Sequence, residues 1–203
     1  MTVVIGTASV VAYLMCTLLL GKQLAGRAGE RGVGSLAVLA LSLHAVVLFQ
    51  DILTENGLDL GIFNAASLIA WVVALLLLVM TLAKPVFTLG VFVWPLAAVC
   101  VALTMVFGQQ SHAVDISVGV QTHIVVSIVS YGVLTIAACQ AVALAIQDRR
   151  LRKRQTPRRF VNLLPPLQTQ ESILFQLLGV GFFLLSLSLV SGVMFVEDMF
   201  SQH

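Results

Sequence analysis

The chain has 203 residues, of which 59% are hydrophobic and only 10% are charged, and its formal net charge at pH 7 is +2. Its mean hydropathy is +1.04, whereas an ordinary soluble domain has about 25% charged residues. This composition excludes a water-soluble globular domain and predicts an integral membrane protein.

Six apolar stretches are long enough to cross a bilayer, since a hydrocarbon core about 30 Å thick needs about 20 apolar residues per helix. In chain order they lie at roughly 2–21, 33–50, 62–82, 86–107, 119–147 and 172–196. The apolar runs are continuous and do not alternate in period two, which excludes a β-barrel. We therefore predict an all-α fold in which residues 1–203 form a single polytopic transmembrane bundle of six spans.

The basic residues predict the orientation of these spans. All eleven Lys and Arg residues fall in odd-numbered connections: three in the first, one in the third and seven in the fifth. The odd connections, including the basic loop 148–171, are therefore predicted to be cytoplasmic, and the N-terminus and C-terminus periplasmic. No cation precedes the first stretch and no small-residue cleavage pattern follows it, so we expect no removable signal peptide.

The fifth connection carries a cationic run, "QDRRLRKRQTPRRF", and a double proline, Pro165 and Pro166. We interpret the cations as an anchor against anionic lipid, where each contributes on the order of 1 kcal/mol near the membrane surface. The alternative is a docking site for a cytoplasmic partner or a nucleic acid. We favour the lipid bilayer as the partner and predict no nucleic-acid binding.

Ionisable side chains are almost absent from the predicted spans, where only His44 lies well inside. Pumps and cation transporters usually place carboxylates at mid-membrane, and catalysis would need a paired acid and base or an activated nucleophile. The pattern disfavours both and predicts that the protein is not an enzyme. Cys16, Cys100 and Cys139 lie inside spans without a CxxC motif, so we expect them to pack in the core.

The histidines are grouped on the predicted periplasmic side. His44 lies seven residues before Asp51, which places it about 10 Å below the outer end of its helix. His123 lies near the outer end of the fifth span, His112 precedes it in a loop, and His203 ends the chain. Because a neutral imidazole ligates metals near pH 7, this grouping suggests a metal or haem-iron site.

A different interpretation of His123 is a polar residue at a helix end. His123, Ser127, Ser130 and Tyr131 fall at i, i+4, i+7 and i+8, along one helical face. Hydroxyl side chains commonly supply hydrogen bonds between helices in membranes. The residue pattern is compatible with either role.

The chain resembles the cytochrome c assembly protein family, which includes CcsA-, CcmC- and HemX-like membrane proteins, over nearly its whole length, including "LSLHAVVL" at 41–48 and "FNAASLIAW" at 63–71. The shared marks are His123 followed by Ser130-Tyr131, the basic loop, Leu164-Pro165-Pro166-Leu167 with Glu171, and a Gly- and Phe-rich sixth span ending at Ser191-Gly192. The resemblance implies haem handling at the outer face of a bacterial inner membrane. His123 matches the first of the two histidines that flank the haem-binding loop in the cytochrome-assembling members.

Two features depart from that family pattern. The segment "VEDMFSQH" has no tryptophan where a tryptophan-rich loop is expected, and the outer side has no Lys or Arg to bind haem propionates. Members of this kind also carry further spans, so we expect the native chain to continue beyond His203.

Two classes of function follow from the resemblance and its departures. The first is a haem-binding or haem-handling inner-membrane protein that works with other cytochrome-assembly proteins. In that class His123 ligates haem iron, and the second ligand is His44 or His203. His44 qualifies only if the second and fifth helices are neighbours and the porphyrin stands edge-on. The second class is a HemX-like scaffold or regulatory subunit that is non-catalytic and has lost haem presentation.

Because all Lys and Arg residues lie in connections on one side of the membrane, the predicted topology can be tested. A reporter enzyme that is active only in the periplasm is expected to work when it is fused after His203 or within Thr54 to Asp59, and to fail near Gln155. Activity at Gln155 would contradict the predicted orientation.

Overall fold

The computed structural model of the chain describes residues 2–25, 32–54, 57–108, 118–153 and 165–200. Six long helices account for most of these residues: α1 (Thr2–Leu24), α2 (Val33–Ile52), α3 (Ile62–Met80), α4 (Gly90–Phe107), α5 (Val118–Arg152) and α6 (Leu167–Phe200). A short 3-10 helix, Phe87–Leu89, runs directly into α4. Between α2 and α3 lies a minimal antiparallel hairpin of β1 (Leu53–Thr54) and β2 (Gly57–Leu58), with Leu53 opposite Leu58.

All six helices are long and apolar enough to cross a membrane, which confirms the predicted α-helical bundle of six spans. The first four helices match the predicted spans closely, whereas the last two are longer. Helix α5 continues past residue 147 to Arg152, and α6 begins at Leu167 instead of residue 172. Both ends of the segment predicted as the loop 148–171 are therefore helical.

Four of the helices close into a ring. Helix α1 packs against α2 and α4, and α3 packs against the same two helices from the opposite side. Helices α5 and α6 form a hairpin with the most extensive helix–helix contact in the described chain, and α5 attaches this hairpin to the ring through α3. The fold is therefore a four-helix bundle with a helical hairpin packed on one side.

Aromatic side chains fill the centre of the ring. Tyr13 on α1 and Trp94 on α4 are fully buried and stacked, with ring centroids 6.1 Å apart and an interplanar angle of 19°. Gly90 makes room for the indole, because a Cβ at that position would collide with Trp94. Trp71 on α3 packs against the same core and donates from Nε1 to the Leu41 carbonyl at 3.0 Å. Both tryptophans are thus packing residues.

Small side chains let the helices of the ring approach one another closely, which is the usual basis of helix association in membranes. The alanines Ala37, Ala40, Ala74 and Ala97 are fully buried.

All three cysteines are free thiols, with Cys16 buried in the core and Cys100 and Cys139 half-buried. The expected packing is confirmed for Cys16 in the core, and Cys100 and Cys139 pack against that core.

Three buried glutamines join α5 to α6 at the end of the hairpin near the basic loop. Gln140 donates to the backbone and side-chain oxygens of Gln170, both at 3.3 Å. Gln170 donates in turn to the Gln147 side chain and, at 2.9 Å, to the Pro165 carbonyl. These amides form hydrogen bonds with one another away from water. They therefore stabilise the helical turns in the segment that the sequence pattern assigned to the loop.

Replacing Gln170 by Ala is expected to lower the free energy of unfolding by about 1–3 kcal/mol, since it removes a buried side chain that bonds to Gln140 and leaves the buried Gln147 Oε1 without its donor. The measurement is the melting temperature of the protein in mild detergent. Gln176→Ala is the matched control, because Gln176 lies on the same helix but its hydrogen bonds are exposed. Equal effects of the two substitutions would contradict a structural role for the glutamine cluster.

Candidate functional site

His44 lies at the centre of the ring and is completely buried. Its Nδ1 lies 3.2 Å from the Tyr13 hydroxyl on α1, and its Nε2 lies 2.9 Å from the Ser67 hydroxyl on α3. The Tyr13 and His44 rings meet edge to face, with centroids 5.8 Å apart and an interplanar angle of 87°. One imidazole on α2 therefore links three helices.

The chemistry of a neutral imidazole explains this arrangement. One ring nitrogen donates a hydrogen bond and the other accepts one, and a hydroxyl can serve either role. Tyr13 and Ser67 together satisfy both nitrogens of His44. For His44 to ligate a metal, one of these two buried bonds would have to break.

His123 lies on α5 in the interface with α6. Its Nδ1 is 2.9 Å from the Ser191 hydroxyl oxygen. The imidazole also lies against Gly192, where an added Cβ would be only 3.1 Å from Cε1. A side chain at residue 192 would therefore crowd the ring, and the Ser191-Gly192 pair positions His123 by a hydrogen bond on one side and close packing on another.

The partners of Ser191 favour one tautomer of the neutral His123 ring. The Ser191 hydroxyl donates its only proton to the Ser188 carbonyl at 2.8 Å. Toward His123 it can then act only as an acceptor, so Nδ1 carries the ring proton and Nε2 carries the lone pair in the neutral form. A hydrogen bond from Nδ1 that orients Nε2 is the arrangement found in metal-ligating histidines.

Further hydroxyl groups continue the polar contact between α5 and α6. Ser127 donates to the His123 carbonyl at 2.8 Å and lies 2.6 Å from the Ser188 hydroxyl, while Ser130 donates to the Gly181 carbonyl at 3.2 Å. The predicted hydrogen-bonding face is therefore present for His123, Ser127 and Ser130.

Tyr131 was predicted to share that face, and this prediction is wrong, because its side chain is 53% exposed. At about 100° per residue, Ser127 and Ser130 lie about 40° and 20° from His123 around the helix axis, whereas Tyr131 lies about 80° away. That rotation turns Tyr131 out of the α5–α6 interface.

The structure places the candidate ligands in separate parts of the molecule. The principal packing partners of α2, which carries His44, are α1 and α3, whereas those of α5, which carries His123, are α3 and α6. His112 and His203 lie outside the described residues. Within the described ranges, no three His, Cys, Asp or Glu side chains come together as a metal cluster.

Sequence reasoning identified the two histidines but missed most of their partners. Tyr13 and Ser67 gave no signal, because a hydroxyl inside an apolar helix is common and their approach to His44 depends on helix packing. The run "LSLSLVSG" in α6 was a usable signal, since Ser188 and Ser191 are three residues apart and so share a helical face.

Six helices that are long and apolar enough to cross a membrane, joined by buried hydrogen bonds such as those of His44 and Ser130, define a polytopic α-helical membrane protein. The family described as cytochrome C assembly protein matches residues 33–203. The chain belongs to this family.

The chain is similar to the inner membrane protein YpjD of Escherichia coli, from strain K12 and from the O6:H1 and O157:H7 strains. In each case the identity is 29% over 170 residues, covering 82% of this chain and 64% of the relative. The chain thus spans somewhat less than two thirds of the length of these curated relatives. No solved structure matches it. Together with the six spans, these similarities confirm the prediction of a multi-pass inner-membrane protein.

Tyr13→Phe is expected to lower the free energy of unfolding by about 1–3 kcal/mol, because it removes the hydroxyl that satisfies His44 Nδ1 in the bundle core. Thermal melting in detergent measures the change. Tyr131→Phe removes the same hydroxyl from an exposed side chain and should leave the melting temperature almost unchanged. A Tyr13→Phe protein that melts like the control would contradict the linking role of His44.

Proposed function

We propose that the chain is a haem-binding or haem-handling inner-membrane protein of cytochrome c assembly, in which His123 ligates haem iron through Nε2. The observation that carries the proposal is the hydrogen bond from His123 Nδ1 to Ser191. Because the Ser191 proton is committed to the Ser188 carbonyl, the neutral ring keeps its lone pair on Nε2. Family membership supports haem as the group that His123 binds.

The residues around His123 suit an iron ligand. The side chain is half-buried near the start of α5, so it is both held in place and accessible. Contact with Gly192 restricts the ring, and a hydroxyl partner on the second nitrogen fixes the tautomer and orients the imidazole of a ligand histidine. When bound, haem would supply an iron centre whose ligands and surroundings set its redox behaviour.

The second ligand in this proposal is His44 or His203, and His203 lies outside the described residues. His44 is the poorer partner, since Tyr13 and Ser67 occupy both of its nitrogens and its helix packs mainly on α1 and α3. The proposed role is that of a carrier or chaperone and not of an enzyme. The proposed partners are the lipid bilayer and other membrane proteins of cytochrome assembly.

The hydrogen bonds of the hairpin favour a second candidate function. His123, Ser127 and Ser130 already connect α5 to α6 through protein groups alone. Such a set would serve a scaffold or regulatory subunit that keeps the family fold without haem. The two functions predict different spectra for the purified protein.

The test is an absorption spectrum of the protein purified in mild detergent, with and without added haemin. Wild type is expected to show a Soret band. His123→Gly should lose it and regain it with added imidazole, which can occupy the vacated ligand position. Ser191→Ala should weaken haem binding about 10–100-fold, the usual effect of removing a partner that orients a ligand.

Ser130→Ala is the matched control, because Ser130 lies on the same face of α5 and bonds only to the Gly181 carbonyl in α6. It should bind haem like wild type. A wild-type protein that is haem-free and takes up no haemin would refute the ligand role and leave the scaffold function.

A further inference from the structure

Lys84 connects the ring to the hairpin on the side of the bundle that is predicted to be cytoplasmic. It lies in the connection between α3 and the 3-10 helix, and its Nζ donates to Gln176 Oε1 on α6 at 3.1 Å. Gln176 Nε2 donates in turn to the Ser172 hydroxyl oxygen, about one helical turn away, at 3.3 Å. Three polar side chains from two separate parts of the fold therefore meet at one place, and we call them the Lys84 cluster.

The directions of these two hydrogen bonds leave donors available for a ligand. An ammonium group has three N–H donors, and Gln176 occupies one of those on Lys84. Because the Ser172 oxygen accepts from Gln176, its own proton can be donated to another group. Ser172 and Gln176 are exposed and Lys84 is half-buried, so a ligand can reach all three. A positive charge surrounded by further donors suits the oxygens of a phosphate group.

The acidic residue next to the cluster in sequence lies on another face of α6. Glu171 immediately precedes Ser172. At about 100° per residue, Glu171 is rotated about 100° from Ser172 and about 140° from Gln176 around the helix axis. The positive charge of Lys84 is therefore not opposed by a carboxylate on the face that Ser172 and Gln176 share.

The apolar surface of α6 indicates the level of the Lys84 cluster in the bilayer. A lysine ammonium avoids the hydrocarbon and lies at the membrane interface. Met194 is an exposed apolar residue near the other end of α6. The helix rises about 27 Å from Gln176 to Met194, which is close to the thickness of a hydrocarbon core, about 30 Å. The cluster is therefore expected to lie among the lipid head groups.

An open groove on α6 begins next to the cluster and runs toward the membrane centre. Gly179 lies three residues beyond Gln176 on the same side of the helix. It is exposed, and an added Cβ there would have no neighbouring side chain within 4 Å. Phe175, Phe182 and Phe183, which surround it on the helix, are each at least 65% exposed. Aromatic side chains around a residue without a side chain form a shallow apolar groove that suits a hydrocarbon chain.

We propose that the Lys84 cluster and this groove bind one anionic phospholipid, with its phosphate at Lys84 and Ser172 and an acyl chain along Gly179. A free phosphate would use the cluster alone, whereas the apolar groove beside it favours a membrane lipid. The bound lipid would connect the ring to α6, a helix whose principal packing partner is α5. This site is separate from His123 and does not depend on haem binding.

The test is native mass spectrometry of the detergent-purified, delipidated chain titrated with phosphatidylglycerol. We expect one phosphatidylglycerol to bind per chain, more tightly than phosphatidylcholine, whose head group has no net charge, and to raise the melting temperature. Lys84→Gln should weaken phosphatidylglycerol binding about fivefold or more, the effect of one cation at the membrane surface. Ser172→Ala should weaken it about two- to tenfold, the effect of one hydrogen bond.

Gly179→Leu tests the groove separately from the charge. The new side chain would occupy open space, so the melting temperature without lipid should not fall, but the bound phosphatidylglycerol should be lost. Lys22→Gln is the matched control, because it removes a cation from the last turn of α1, on the same predicted side of the membrane. It should bind phosphatidylglycerol like wild type.

The proposal is overturned if phosphatidylcholine binds as tightly as phosphatidylglycerol, or if Lys84→Gln binds phosphatidylglycerol as tightly as Lys22→Gln does. A site for free phosphate would replace it if inorganic phosphate displaces the lipid and Gly179→Leu still binds the lipid like wild type. A second copy of the chain would be the occupant if the purified protein is a dimer that Gly179→Leu converts to a monomer, and this result would also overturn the proposal.

Discussion

The four-helix ring depends on a buried imidazole whose two nitrogens must both find partners. A polar group that loses water without gaining a hydrogen bond is costly in an apolar interior, and lipid supplies no replacement. Tyr13 and Ser67 meet this requirement for His44 from two different helices, and Trp94 stacks on Tyr13 from a third. All four helices of the ring therefore meet at one small group of side chains, which specifies their relative rotation more closely than apolar contacts could.

The hairpin of α5 and α6 follows a different physical scheme. Hydroxyls and His123 join the two helices along one half of their interface, and glutamine amides join them near the basic loop. Neutral polar groups of this kind hold helices together in membranes without placing a charge in the hydrocarbon. Since α6 packs mainly on α5, much of its surface remains exposed, with Phe175, Phe182 and Phe183 each at least 65% exposed. Lipid is the partner that suits this apolar surface.

The proposed iron ligand, His123, belongs to the hairpin and not to the ring. It offers an imidazole next to a hydroxyl, which suits a transition-metal centre. The absence of basic residues from the predicted periplasmic side in the sequence leaves haem propionates without a salt-bridge partner.

The amino-acid sequence is sufficient to establish the membrane class and the number of spans and to single out His44 and His123 as candidates, because apolar length and the rarity of ionisable groups are properties of composition and order. It also located the polar face of α5, although Tyr131 was wrongly included. Only the folded structure shows which helices are neighbours and which hydroxyls meet each imidazole. The helix ends near Arg152 and Leu167 also depend on tertiary contacts, namely hydrogen bonds between amides on different helices. The physical reason is that hydrogen bonds between helices depend on rotation and pairing in space, which helical periodicity within one segment does not specify.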